Sequence, residues 1–471
     1  MKAMSKYGTR PSAIFWVTLS FLLVVSFTGG ASRFDEQSLI VLRPLSILAC
    51  AFAMLTFRPE DLTGRTWLFM GFGAMFALSL LHLVQLPPFL WRSLPGRQEL
   101  AQIDALSGLG ALWRPLTLTP MNGWHALSAL FAPLAVLLLG IRLKREDLYR
   151  FLPFVVLLGA LSGLFGLLQV VGSPTGPLYL YRVTNNGSAV GLFSNRNHAA
   201  LFLAIMFPLL AAWASLGDHG MMSRKARLFA AVTMGLILLP LIMVTGSRSG
   251  LILLLIGLIA SLLIYGITPP AGIAKRSGLR LYGVLAASGL AVALLGLLTL
   301  HFSRAEAVRR LFDASTTGDD RLDFWRVSLE MLWKYFPFGS GSGSFAEAYQ
   351  IVEPSYLLNQ YYLNHAHNDF IEVAVTFGLP GIILVAAAAF FYVRRTIHLW
   401  FYRDARSRSV KIARTASVAI FMIAVASLFD YPLRTPMLAC VFALLSLWFA
   451  EAGRKAKAEA APPSTTIKTE A

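Results

Sequence analysis

The chain has 471 residues, of which 56% are hydrophobic and only 14% charged, with a formal net charge of +17; an ordinary soluble domain is about 25% charged. So few charges cannot clothe a water-facing surface of that size, which excludes a soluble multidomain protein, a disordered chain and a disulfide scaffold. The two cysteines, Cys50 and Cys440, lie within apolar runs, where neither a disulfide framework nor a metal cluster is expected.

A helix needs about 20 apolar residues to cross the hydrocarbon of a bilayer. Uncharged stretches suited to spans run over 11–32, 66–91, 115–141, 151–181, 197–217, 228–247, 249–274, 281–303 and 373–393. Three weaker ones complete the set: 38–57, interrupted by Arg43, and the shorter 415–429 and 435–450. The first run follows Lys2, Lys6 and Arg10 and mimics a signal peptide, but with further spans behind it a retained anchor is expected. The expected fold class is all-α: a polytopic membrane helical bundle of about 12 transmembrane helices, with a large extracytoplasmic loop carrying short helices. By residue, 1–300 holds spans one to nine, 301–368 the large periplasmic loop, 369–452 spans ten to twelve, and 453–471 a disordered cytoplasmic tail rich in Lys, Ala, Pro and Thr.

With both termini cytoplasmic, most of the 41 basic residues fall on the cytoplasmic side, among them Arg142, Lys144, Arg145, Arg394, Arg395 and Arg414. That is the bias expected of membrane topology, so the basic charge needs no nucleic acid. The outer segment 304–368 is long and mixed in charge, and long ordered loops tend to carry function. Within it Leu322, Trp325, Leu329, Leu332 and Trp333 recur at helical spacing, which predicts an amphipathic helix lying on the membrane or capping the bundle.

Polar residues at outer helix ends are the informative ones, because ionisable groups near lipid are costly. Four clusters stand out. Ser194-Asn195-Arg196-Asn197-His198 opens the sixth span, with amides suited to sugar hydroxyls and Arg196 to a phosphate; one N-cap would need only one of these residues. Thr245-Gly246-Ser247-Arg248-Ser249-Gly250 is a tight outer turn whose guanidinium suits bidentate phosphate binding. Asp319 to Arg326 offers Arg321 and Arg326 and leads into Pro337-Phe-Gly-Ser-Gly-Ser-Gly-Ser-Phe345. This glycine string follows no strand of a βαβ unit, which argues against a dinucleotide site. Asn364-His365-Ala366-His367-Asn368-Asp369-Phe370-Ile371-Glu372 meets the start of the tenth span. His-x-His plus Asp suggests a metal site but lacks a third imidazole or a cysteine; a histidine base for a hydroxyl is the better use.

These strings, in this order, resemble the O-antigen ligase and polysaccharide polymerase superfamily of bacterial envelope glycosyltransferases. The resemblance is carried by Gly191-Leu-Phe-Ser-Asn195-Arg-Asn197, Thr245-Gly-Ser-Arg248-Ser-Gly, Arg321-Leu-Asp-Phe-Trp325-Arg326, the glycine string, and His367-Asn368 followed by Gly378-Leu-Pro-Gly381, across about 190–385. It implies transfer of a glycan from an undecaprenyl-diphosphate-linked donor to lipid A core or to a second lipid-linked glycan, at the periplasmic side of the inner membrane. It implies no nucleotide sugar, metal or other cofactor. Arg248 and Arg321 take the family's arginine roles and His367 its histidine role. Arg326, Asn195, Arg196, Asn197, His198, His365 and Asn368 are expected to bind substrate, and Arg326 competes with Arg321 for the essential loop position. A chain-length regulator is a candidate partner alongside membrane lipid. The competing readings are a flippase of lipid-linked oligosaccharides and a secondary transporter. The latter predicts paired halves and mid-helix charges that the sequence lacks.

Overall fold

The computed structural model describes residues 10–216, 223–266, 320–358, 362–401, 403 and 407–452, with the side chains of Asp320 and Arg321 excepted. Eleven apolar helical segments in these residues correspond to eleven of the expected spans, and the twelfth, 281–303, lies outside them. In chain order they are α1 (Ala13–Thr28), α2 (Leu39–Leu55), α3 (Thr66–Leu81), α6 (Pro120–Ala129) continued by α7 (Phe131–Ile141), α8 (Arg145–Val171), α9 (Arg196–Ser215), α10 (Arg224–Val244), α11 (Arg248–Gly266), α14 (Asp369–Phe401), α15 (Arg408–Ala426) and α16 (Pro436–Glu451). Between α3 and α6 lie the short helices α4 (Pro88–Ser93) and α5 (Gln98–Leu106). Before α14 lie α12 (Asp320–Tyr335) and α13 (Phe345–Val352). The molecule is a polytopic helical bundle.

Several boundaries differ from the sequence expectation for local reasons. The span expected over 66–91 stops at His82, because Gln85–Leu86 pairs with Arg114–Pro115 in a two-residue antiparallel ribbon and Pro87-Pro88 follows. The span over 151–181 begins earlier, at Arg145, and ends at Val171, before Gly172 and Pro174. Pro120–Ile141 is broken at Leu130 into two helices.

α9 is the central rod, buried along nearly its whole length against α8, α10, α11 and α15. An apolar helix buried on all sides is what the middle of a bundle requires. α2, α8 and α14 instead leave Ile40, Leu48, Leu157, Leu161, Ile383 and Phe390 exposed, the residues a lipid-facing stripe needs. The basic side chains gather at the end of the bundle where α1 starts. There Arg65 donates to the Ile141 carbonyl, Arg395 to those of Phe449 and Ala450, Arg414 to those of Leu399 and Trp400, and Lys411 to that of Ser215. Each satisfies helix C-terminal carbonyls that would otherwise be orphaned, and the cation complements the helix dipole.

At the opposite end α12 and α13 form a small cap with its own core of Val327, Met331, Tyr335, Phe345, Tyr349 and Val375. The helix predicted from Leu322 onward is present and caps the bundle, but only part of the expected apolar face packs: Leu332 lies against the cap core and Trp325 bonds the Ala366 carbonyl. Leu322, Leu329 and Trp333 point outward, while Val327, Ser328, Met331 and Tyr335 face inward. The glycine string acts as a backbone clasp for the cap. Gly341, at φ +103, brings its backbone so close that a Cβ would stand 2.1 Å from the Thr117 Cα. Thr117 Oγ1 donates to the Ser342 carbonyl (2.9 Å), and the Ser342 N–H donates to His82 Nδ1 (3.0 Å).

Candidate active site

The α8–α9 loop, the α10–α11 turn, the loop before α14 and the α15–α16 turn meet at the capped end. Their meeting point is Asp430, in the turn that follows α15, and it is buried. Asp430 Oδ2 accepts the side-chain amides of Asn195 (3.1 Å) and Asn197 (2.7 Å). Its Oδ1 accepts the Tyr431 backbone N–H (3.0 Å) and lies 3.3 Å from His367 Nδ1 and 3.9 Å from His198 Nε2. Burial raises the pKa of this carboxyl, but the imidazoles of His367 and His198 and the Asn197 amide outweigh it and hold the group well below the usual carboxylate range.

The local sequence explains the convergence. Asn195 is the N-cap of α9, its side chain accepting from the Asn197 N–H (2.8 Å); the same amide group still has N–H donors for Asp430. Asn197 in turn accepts from Ser247 Oγ (2.8 Å), which lies 3.1 Å from Ser249 Oγ. The sixth-span cluster and the Gly246–Gly250 turn are thereby joined, and Arg248, exposed at the first position of α11, stands beside the junction.

The histidine loop is held from both sides. Asn368 Oδ1 accepts the N–H groups of Phe370 (3.0 Å) and Ile371 (3.1 Å), capping α14, while its amide donates to the Leu428 carbonyl (3.1 Å). Glu372 accepts the Ala366 N–H (3.0 Å) and lies 2.9 Å from His365 Nδ1. Arg434 lies 3.3 Å from Glu372 and 3.4 Å from Asp369. Between these clamps His367 has φ +49, and it is the one non-glycine residue with positive φ among those described. Strain of this kind persists only where surrounding contacts over-determine it, and it gathers at functional positions. Beneath the loop, the Tyr431 ring lies 4.4 Å from that of His365 and 5.0 Å from that of His367.

Of the residues expected from sequence, the structure brings together Asn195, Asn197, His198, Arg248, His365, His367 and Asn368. His198 is fully enclosed, with Nδ1 2.9 Å from Thr435 Oγ1, so it supports the turn from behind. Arg196 leads α9, its backbone N–H donating to Asn185 Oδ1 (3.0 Å). Arg321 lies in the first turn of α12. Four residues later Trp325 Nε1 donates to the Ala366 carbonyl (3.0 Å), tying that helix to the histidine loop. Arg326 is set apart: it is exposed, bonded to Tyr356 and 3.5 Å from Asp323. Sequence reasoning passed over Asp430, Tyr431 and Arg434, and included Glu372 in the histidine cluster without a role. Among the described residues, no group of three His, Cys, Asp or Glu side chains is spaced to hold a metal ion.

The family model described as O-antigen ligase matches residues 230–386, from α10 into α14. The matched stretch contains Arg248, Arg321, His365 and His367, whereas Asn195, Asn197 and Asp430 lie outside it. Comparison with curated proteins gives no match.

Proposed function

We propose, from the O-antigen ligase match and the geometry around Asp430, that this membrane protein transfers a glycan from an undecaprenyl diphosphate carrier to a sugar hydroxyl. The acceptor is lipid A core or a second carrier-linked glycan. The observation that carries the proposal is the Ser247–Asn197–Asp430–His367 chain of contacts, which unites three separate sequence clusters in one site. With Nδ1 turned to a buried carboxylate, His367 keeps Nε2 for the acceptor hydroxyl and takes its proton as the oxygen attacks the anomeric carbon. The anomeric carbon–oxygen bond breaks, and the electron pair leaves on the lipid diphosphate. Arg248 stabilises that developing charge by paired hydrogen bonds. Arg321, in the first turn of α12, is the second cation. Asn195, Arg196 and Asn197 line the approach for sugar hydroxyls and phosphate. The transfer is a single, inverting displacement.

The basic end of the bundle is then cytoplasmic and the capped end periplasmic, in the inner membrane. This orientation is supported by the arginines gathered where α1, α3, α8, α10 and α15 begin. Reconstitution with a lipid-linked oligosaccharide, with and without lipid A core, tests the proposal. A single shift that requires core marks a ligase, and growing ladders without core mark a polymerase. Full transfer by both Arg248→Ala and His367→Ala would refute the mechanism.

A further inference from the structure

A second polar cluster lies on the rim of the same site. Tyr362, in the histidine loop, is about half exposed, and Arg33 from the α1–α2 loop stands 5.7 Å from its ring centroid. Arg33 is bidentate to Asp35, with both N–O distances 2.9 Å, and Arg182 from the α8–α9 loop reaches the same carboxylate at 2.7 Å. Glu36, beside Asp35, is buried, and its Oε1 has no hydrogen-bond partner among the described residues. Three loops therefore meet at one aromatic ring, two guanidinium groups and two carboxylates.

This rim is continuous with the site wall. The Ser194 N–H donates to the Gly30 carbonyl (3.1 Å), and the Gly30 N–H donates to Tyr181 Oη (2.7 Å). Ser194 immediately precedes Asn195, whose amide reaches Asp430. Tyr362 is five residues from His367, so the two are within about 18 Å even for an extended chain. The α1–α2 side of the rim is carried by helices other than those that pack on α11. α1 and α2 pack chiefly on one another, on α7 and, for α1, on α16, whereas α11 packs on α9 and α15. A displacement in line needs the incoming hydroxyl and the departing diphosphate on opposite faces of the anomeric carbon.

Resting on the glycosyl-transfer reading, we propose that Tyr362, Arg33, Arg182, Asp35 and Glu36 form a carbohydrate subsite holding the acceptor glycan a few sugars away from the hydroxyl under attack. The face of the Tyr362 ring away from Arg33 packs on the apolar face of a sugar, with Arg33 held over the other face. The Arg33–Asp35–Arg182 array supplies donors and acceptors for adjacent hydroxyls, and the unpartnered Glu36 oxygen accepts one more.

The test titrates purified lipid A core, and separately a carrier-linked glycan, at saturating donor into the reconstituted full-length protein. Tyr362→Ala should raise the acceptor KM about tenfold, equivalent to about 1.4 kcal/mol, with donor KM unchanged and kcat within about twofold. Arg182→Ala, at an exposed side chain whose loss leaves the fold intact, should raise the acceptor KM in the same direction. An unchanged acceptor KM in both variants, or a rise confined to donor KM, overturns the subsite. If the wild type transfers and His367→Ala does not, an unchanged acceptor KM in the Tyr362 and Arg182 variants refutes the subsite alone. If the wild type transfers nothing to either acceptor, the functional reading fails and the subsite with it.

Discussion

Replacing Asp430 by Asn tests whether the buried carboxylate governs the histidine. The side chain keeps its shape, but one acceptor oxygen becomes an N–H donor. If the new amide occupies the Oδ2 position, it meets the donating amides of Asn195 and Asn197 head on. If it occupies the Oδ1 position, it faces the Tyr431 N–H and drives His367 Nδ1 to act as acceptor. The proton then sits on Nε2, the atom that has to receive one from the acceptor hydroxyl. The electrostatic loss is large as well. Unit charges at the 3.3 Å separation of Asp430 and His367 attract by about 5 kcal/mol at an effective dielectric near 20. Allowing for relaxation, kcat should fall by about three orders of magnitude, with donor KM little changed. Initial rates on lipid-linked oligosaccharide in proteoliposomes, read as a gel shift, measure this. A variant within tenfold of wild type, with correct insertion verified, would refute the assigned role of Asp430.

Other perturbations give distinct outcomes. Arg248→Ala should reduce kcat by about two to three orders of magnitude, and Arg248→Lys should recover only part, because a point charge cannot make the paired bonds of a guanidinium; steady-state rates of the two variants decide. Gly341→Ala forces a side chain into left-handed backbone and against Thr117, so it should destabilise the cap by about 3 kcal/mol or more, seen as faster proteolysis within 82–123. His82 is held to about 4, first by burial and then by Arg97, while its Nδ1 accepts from Ser342. The unfolded chain thus binds the extra proton between about 6.5 and 4, and the clasp should lose on the order of 3 kcal/mol as pH falls through that window, then level off. Hydrogen exchange at 337–344 should accelerate accordingly, and His82→Asn should remove most of the pH dependence.

The spans were legible because lipid demands long uncharged runs; their ends shifted where Pro, Gly or the Gln85–Arg114 ribbon intervened, and where a helix took in flanking charged residues, as α8 does from Arg145 and α15 from Arg408. Asn195, Asn197, Arg248 and His367 were legible because each is polar at a helix end beside lipid. Asp430 and Arg434 were not, since two charges in a short turn between two short spans look like ordinary loop residues. The available signal was a carboxylate abutting the apolar run 415–429, with an arginine four residues on in the same turn. The face of α12 was ambiguous for a different reason. Its sequence carries two apolar stripes, Leu322–Leu329–Trp333 and Val327–Met331–Tyr335, and only the packing of α13 and α14 selects the second.

The position of His367 follows from helix ends more than from its own loop. The Asp369 N–H donates to the Ser427 carbonyl (2.9 Å), Asn368 reaches Leu428, and Arg434 spans Glu372 and Asp369, so the start of α14 is bolted to the turn that carries Asp430. Imidazole and carboxylate are thereby fixed relative to one another by two rigid rods, which is what a preorganised base requires. The positive φ at His367 is the local cost of that arrangement, borne because contacts on both sides leave the backbone no relaxed alternative. At the far end of the same rods, Arg395 and Lys411 are instead consumed by helix carbonyls. Removing Arg434 should therefore disturb His367 without touching substrate, a different outcome from removing Lys411, which would loosen α15 from α9 and leave the chemistry in place.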